Sequence, residues 1–321
     1  MSLAFDTAAL LDTSSVARRT IMSLPTCGPG SLFFGQVGEW TWQTVSALCG
    51  DPGFSVHTAR TSDDLPTYLS FYYYRVLGSS SMHHTMLAVG DELDISSRSF
   101  NCGSESVLTL HRIARRGTEV LRDARPLDVT EFYRQRDPAC LYVENFNRWI
   151  SRTDQGSNEN LISAAPVGFR YEHLPTLPAE HSPRGVCGAA RRSASFHPHG
   201  VPGFELVGDD LVTTHRVDVI RDLNAVGLVY FASYFAIIDS SALRMWLLLG
   251  RTERTFLARR VLDYQMGFFG NANIGATLAI TARLWRRTGD PAEEIVEATV
   301  RVVDSHRLIA VASIRIRGDG G

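Results

Sequence analysis

Apolar positions fall into two matching series along the chain. In the first, LFFGQVGEWTWQTVSALCG places Phe34, Val37, Thr41, Val45 and Leu48 on one side of a helix, with Gly50 as its stop. Strand-like runs follow over 68–77, 92–100 and 106–114. In the second series, 211–220 alternates as a strand and a helix spans about 228–249. That helix is apolar nearly all round, with Leu228, Val229, Tyr230, Phe231, Phe235, Ile237, Ile238, Leu243 and Trp246 distributed over its circumference. Four more strand-like runs come after it, at 255–265, 275–286, 295–303 and 308–317. In the last, Leu308, Ala310, Ala312, Ile314 and Ile316 alternate with Ser313, Arg315 and Arg317.

A helix that is apolar on every side has to be enclosed, and the long strands after each helix supply the enclosure. The pattern predicts an α+β chain of two tandem hot-dog domains, each a central helix wrapped by an antiparallel sheet; a pair of unrelated α+β domains would read similarly. Residues 1–150 form the N-terminal unit and 204–321 the C-terminal one. Between them, 151–203 carries Pro166, Pro175, Pro178, Pro183, Pro198 and Pro202 among many small polar residues, which reads as a linker draped over the surface.

Composition narrows the chemistry. All 32 cationic side chains are arginine, so lysine Schiff bases and a P-loop lysine are excluded. A net charge of −2 gives no reason to expect nucleic acid or an anionic membrane as partner. The apolar stretch 225–250 holds Asp239 and Arg244, which argues for a helix inside protein and against a membrane span. Five dispersed cysteines and no leader-like N-terminus point to reduced thiols in a cytoplasmic protein. His197 and His199 lack further ligands at metal spacing, so no metal and no separate cofactor is expected.

Several residues could carry chemistry. Gly35 and Gly38 in FFGQVGEW, and Asn224 and Gly227 in DLNAVGLVY, mark the expected helix starts, where bare N–H groups favour a developing oxyanion. The same glycines could instead serve close helix–sheet packing. In LPTYLSFYYYRV, strict alternation puts Tyr68, Ser70, Tyr72 and Tyr74 on one face and Leu69, Phe71, Tyr73 and Arg75 on the other. Tyrosines in strands mostly pack, and a phenol needs a strong base to become a nucleophile. His83 and His84 read as solvated side chains at a turn, while Glu39 and Asp239 occupy the helices as potential acids or bases. Arg98, Arg112, Arg115 and Arg116, near strand ends, are candidates for the phosphates of coenzyme A.

The runs LPTCGPGSLFFGQVGEWTW, PTYLSFYYYRVLGSSSMHHTM, GDELDISSRSF, LNAVGLVYFASYFAIID and MGFFGNANIGATL together resemble the leinamycin-pathway type of bifunctional acyltransferase/decarboxylase, over essentially the whole chain. The resemblance implies a double hot-dog enzyme of polyketide biosynthesis. It would decarboxylate (2R)-methylmalonyl-CoA and pass propionyl to an acyl carrier protein through an acyl-O-tyrosine. It also implies Tyr68 as the nucleophile, with Tyr72, Tyr73 and Tyr74 as neighbouring alternatives, and Gln36 and Asn224 as donors to the acyl group or its carboxylate. A homodimer is compatible with this reading. The rivals are a hot-dog thioesterase or dehydratase working through Glu39, Asp239 or a histidine, and a silent acyl-CoA-binding protein.

Overall fold

Two helices of similar length sit back to back inside one continuous sheet. The structure, a computed structural model, describes residues 6–28, 30–118, 125–154 and 156–318. The N-terminal half contributes β1 (Asp6–Asp12), β2 (Ser15–Ile21), the helix α1 (Gly30–Cys49), β3 (Tyr68–Leu77), β4 (Glu92–Asn101), β5 (Ser106–Arg115), the short α2 (Val129–Arg134) and β6 (Cys140–Arg152). Next come β7 (Leu161–Ser163), α3 (Pro183–Ser193) and β8 (Phe204–Leu206). The C-terminal half has β9 (Leu211–Arg216), α4 (Phe231–Leu248), α5 (Glu253–Leu257), β10 (Arg260–Phe268), β11 (Thr277–Arg287), β12 (Asp290–Val302) and β13 (Leu308–Arg317).

The strands run in the order β1-β2-β4-β5-β6-β3-β10-β13-β12-β11-β8, with β7 on β6 and β9 on β11. Each half is therefore an antiparallel sheet curled around its own helix, α1 against β2 and β4, α4 against β9 and β11. This is the double hot-dog arrangement. The halves join where β3 pairs with β10 over five residues, from Leu77↔Asp263 to Tyr73↔Gly267. Arg75 clamps that seam with a two-pronged ion pair to Asp263, at 2.6 and 3.0 Å.

The helices touch because α1 has no side chain where they meet. A Cβ on Gly38 would lie 2.2 Å from Cζ of Phe231. Around this contact Phe34, Phe71, Tyr74, Phe231, Phe235 and Tyr264 form one aromatic core drawn from both halves, with Phe34 and Phe235 centroids 4.8 Å apart. Each ring removed from water contributes on the order of 2 kcal/mol.

Several local expectations are corrected. Within 151–203 the chain forms regular elements, β7 on the sheet and eleven residues of α3, which begins at Pro183 where a missing N–H costs nothing. The run 255–265 starts as helix, because Thr252 and Thr255 cap α5 reciprocally, and becomes a strand at Arg260. In β3 the strict two-residue alternation fails. A bulge between Phe71 and Tyr73 shifts the register against β6, so Tyr74 joins Phe71 in the helix-facing core while Tyr73 packs outside it. Among the described residues no helix is long and apolar enough to cross a membrane. The opening residues 1–5, part of the stretch read for a leader, lie outside the described residues.

Candidate active site

Where β3 and β10 stop pairing, the strands part and open a cavity of about 280 Å³. Its floor and walls are mostly apolar: Trp42 of α1, Phe71 of β3, Phe231 and Tyr234 of α4, and Phe268 of β10. The polar groups facing it are few. They are Tyr68 and Ser70 of β3, His57, Asn224, Tyr230 and Asn271.

The loop 224–230 is held against this cavity by hydrogen bonds from three directions. Asn271, nearly buried, accepts from the Val229 N–H and donates to the Val229 carbonyl, both at 3.0 Å. Asn158 Nδ2 donates to the Gly227 carbonyl at 2.8 Å, and Arg152 Nη2 donates to the Val226 carbonyl at 2.7 Å. Within the loop, Asn224 Oδ1 accepts the N–H groups of Val226 and Leu228 at 3.2 and 3.0 Å. Its Nδ2 makes no hydrogen bond among the described residues, which leaves a fixed amide donor on the cavity wall. The loop ends at Tyr230, the N-cap of α4, so the positive end of that helix borders the same space.

The four tyrosines of β3 are sorted by this geometry. Tyr74 is fully buried and its hydroxyl donates to the Phe34 carbonyl at 2.9 Å. Tyr73 is buried too and donates to Gln265 Oε1 at 3.0 Å; burial pushes both phenols well above their ordinary pKa. Tyr72 faces a different cavity. Tyr68 lines the first cavity, partly exposed, with the Arg152 guanidinium 5.8 Å from its ring.

Other residues are placed differently from expectation. Gly35 and Gly38 are the sixth and ninth residues of α1, beyond the first turn whose N–H groups are unpaired, and neither lines the cavity. They open room for Tyr230, Phe231 and Ala232. Gln36 does not line the cavity either. Gly227 precedes α4 in a turn with φ of 75°, a backbone setting that favours glycine. His83 and His84 are buried, each 5% exposed, because the turn they open packs beneath the start of α1; burial and then the charge of Arg259 press His84 down to about 3. Asp239 is ion-paired with Arg259 at 3.1 Å, away from the cavity. The arginines expected to bind phosphate are engaged elsewhere: Arg112 with Glu131, Arg115 with Asp91, Arg116 with Glu92, and Arg98 with the Leu127 carbonyl.

Residues missed in the sequence are Trp42, His57, Tyr230 and Asn271. Tyr230 was legible only as helix filling, yet burial and then the nearby Glu39 raise its phenol to about 12. Glu39 itself accepts from Gln43 at 2.9 Å and stands 3.6 Å from His57.

The model of the family described as "LnmK N-terminal Hot Dog Fold domain" matches residues 17–198. Compared by sequence with curated proteins, the chain matches none. By structure it is similar to a protein described as an oleoyl thioesterase from Lactobacillus plantarum, with a TM-score of 0.61 at 12% identity, covering 97% of this chain and 99% of that one. It is also similar to a 12:0-ACP thioesterase from Umbellularia californica, with a TM-score of 0.55 at 10% identity over 95% and 94%. An acyl-ACP thioesterase from Bacteroides thetaiotaomicron gives 0.54 at 9% identity over 94% and 98%. At these identities the likeness is one of fold.

Proposed function

This chain belongs to the family of the LnmK N-terminal hot-dog-fold domain, and from that premise we propose that it is an acyl-thioester enzyme that decarboxylates methylmalonyl-CoA and transfers the propionyl group. The observation that carries the proposal is the sharing of one cavity by an accessible tyrosine, Tyr68, and an unengaged amide donor, Asn224 Nδ2.

The chemistry proceeds in four steps. The thioester carbonyl lies against Asn224 Nδ2 and the N-terminus of α4, so that loss of CO2 leaves an enolate whose negative oxygen is stabilised. The enolate carbon takes the proton of the Tyr68 hydroxyl, giving the propionyl thioester and a phenolate. The phenolate attacks the thioester carbonyl, forming propionyl-O-tyrosine and expelling the CoA thiolate. The thiol of a carrier protein's pantetheine arm then takes the acyl group and restores the phenol. The substrate thus generates the base that an unassisted phenol lacks. The apolar walls keep water from the ester.

Hydrolysis is a second reading with one observation behind it, the Glu39–His57 pair at 3.6 Å beside the cavity, which could activate water. Intact-protein mass spectrometry after brief mixing with methylmalonyl-CoA, without carrier protein, separates the two. Wild type is expected to gain one propionyl group, and Tyr68→Phe to evolve CO2 without gaining it. Free acid with no adduct on wild type would establish the hydrolytic reading instead.

A further inference from the structure

A second cavity, of about 290 Å³, adjoins the first across the parted ends of β3 and β10. Ser70, Phe71, Phe268, Gly270 and Asn271 border both. Its chemical character is the reverse of the first. Arg148 of β6, Arg191 of α3 and Arg307 of the β12–β13 turn converge on it, with Tyr72 between them.

Two of these arginines, Arg148 and Arg191, are unusual in being left over. The chain has 34 carboxylates for 32 arginines, and most guanidiniums on the sheet are paired. Among the described residues, the one carboxylate lining this cavity, Glu159, stands 3.6 Å from Arg307. Among the described residues, Arg148 has no carboxylate partner. It donates to Ser163 Oγ at 3.3 Å and lies 5.0 Å from the Tyr72 ring centre. The Arg191 side chain makes no hydrogen bond or ion pair among the described residues. Arg307 donates to the Asn271 carbonyl at 2.6 Å, which ties this cavity to the residue that fixes the Val229 loop, while its buried Nε has no partner. Three guanidiniums against one carboxylate, in a concave setting walled by protein, make a site for a phosphate anion.

We propose that this second cavity binds the phosphate at the far end of a pantetheine arm whose thioester occupies the first cavity, with Arg148, Arg191 and Arg307 as its donors. The proposal rests on the thioester reading of the first cavity. That phosphate has two sources, the diphosphate of coenzyme A and the phosphodiester of a carrier protein's prosthetic group. Both place the anion at the same distance along the same arm. The ladder between β3 and β10 ends at Tyr73↔Gly267, and the gap beyond it is where the arm passes from the polar cavity to the apolar one.

Calorimetric titration of the full chain tests this without any turnover. The ligands are coenzyme A, pantetheine lacking phosphate, and a carrier protein bearing phosphopantetheine. In Arg148→Gln/Arg191→Gln, coenzyme A is expected to bind about tenfold more weakly or worse, while pantetheine binds as to wild type. The single variant Arg191→Glu, on an exposed side chain, is expected to move in the same direction with the fold untouched. Loss with both coenzyme A and the carrier protein places the phosphate they share at the arginines; loss with coenzyme A alone places the nucleotide's own phosphates there. Unchanged affinity for coenzyme A, or its failure to bind wild type, overturns the proposal. Because binding alone is read, absence of a tyrosine adduct in the earlier experiment leaves this result standing.

Discussion

Asn224 does two jobs with two atoms, and they can be separated by one substitution. Oδ1 holds the turn through Val226 and Leu228, whereas Nδ2, without a hydrogen bond among the described residues, is the donor proposed for the enolate oxygen. Asn224→Asp keeps the acceptor and replaces the donor with a second oxygen, so on the proposed function the turn is retained and the stabilisation of the enolate is lost. Decarboxylation is expected to fall by about 100-fold to 1,000-fold, with the melting temperature little changed. Rates of CO2 release beside a thermal melt check both halves of that statement. A second residue-scale consequence concerns acid stability. His111 is fully buried between Thr41 (2.9 Å) and Ser97 (2.7 Å). Thr41 donates to the Val37 carbonyl and accepts from Asn145 Nδ2, so the imidazole proton belongs on Nε2 and the Ser97 hydroxyl donates to Nδ1. Burial, with Arg18 nearby, lowers its pKa from 6.5 to about 3. The unfolded chain therefore binds more protons between those values, and the stability His111 lends above pH 6.5 is lost as pH falls towards 3. In His111→Gln the slope of melting temperature against pH over that window is expected to flatten; an unchanged slope means the ring is not what titrates.

At the scale of elements, the contact between α1 and α4 depends on an absent side chain. A methyl at Gly38 meets Phe231 at 2.2 Å, and that ring is already fixed by Phe71 at 4.1 Å and by stacking on Tyr74. A methyl at Gly35 meets its nearest neighbour, the Tyr230 hydroxyl, at 3.3 Å. Alanine gains about 1 kcal/mol over glycine in a helix interior. That gain makes Gly35→Ala close to neutral, while at Gly38→Ala it is outweighed by overpacking, which costs about 1–3 kcal/mol. Chemical denaturation of the two variants measures the contrast. How far such elements were legible follows from what each depends on. The two helices, and most of the strands, announce themselves by period, because burial of one face or of the whole element is written into every third or second residue. The bulge in β3 is not, since one extra residue among four consecutive aromatics leaves no mark on composition; only pairing with β6 reveals that Tyr73 and Tyr74 have changed sides. The glycines were visible but ambiguous, because packing against another helix and exposure of backbone N–H groups call for the same residue. The cavity itself needed the fold. Tyr68 and Asn224 are 156 positions apart and meet only because β3 and the loop before α4 both lie beside the end of β10.

At the scale of the molecule, the two halves are not independent bodies. One core runs through both, with Phe34 and Tyr74 touching Phe235, and the candidate site takes Tyr68 from one half and Asn224 from the other. Scanning calorimetry is expected to record a single cooperative unfolding transition, and two resolved transitions would contradict the shared core. The seam has a further consequence for either half on its own. Among the described residues, β3 and β10 form the one ladder between the halves, five residue pairs long, and the N–H and C=O groups that each strand turns towards the seam are satisfied by the other half. Cut apart, each half would present that stretch as a bare strand edge lined by aromatic side chains, ready to pair with whatever strand it met first. Fragment expression is thus a route to tangled oligomers. The short ladder that holds the candidate site together also keeps this sheet from recruiting strangers.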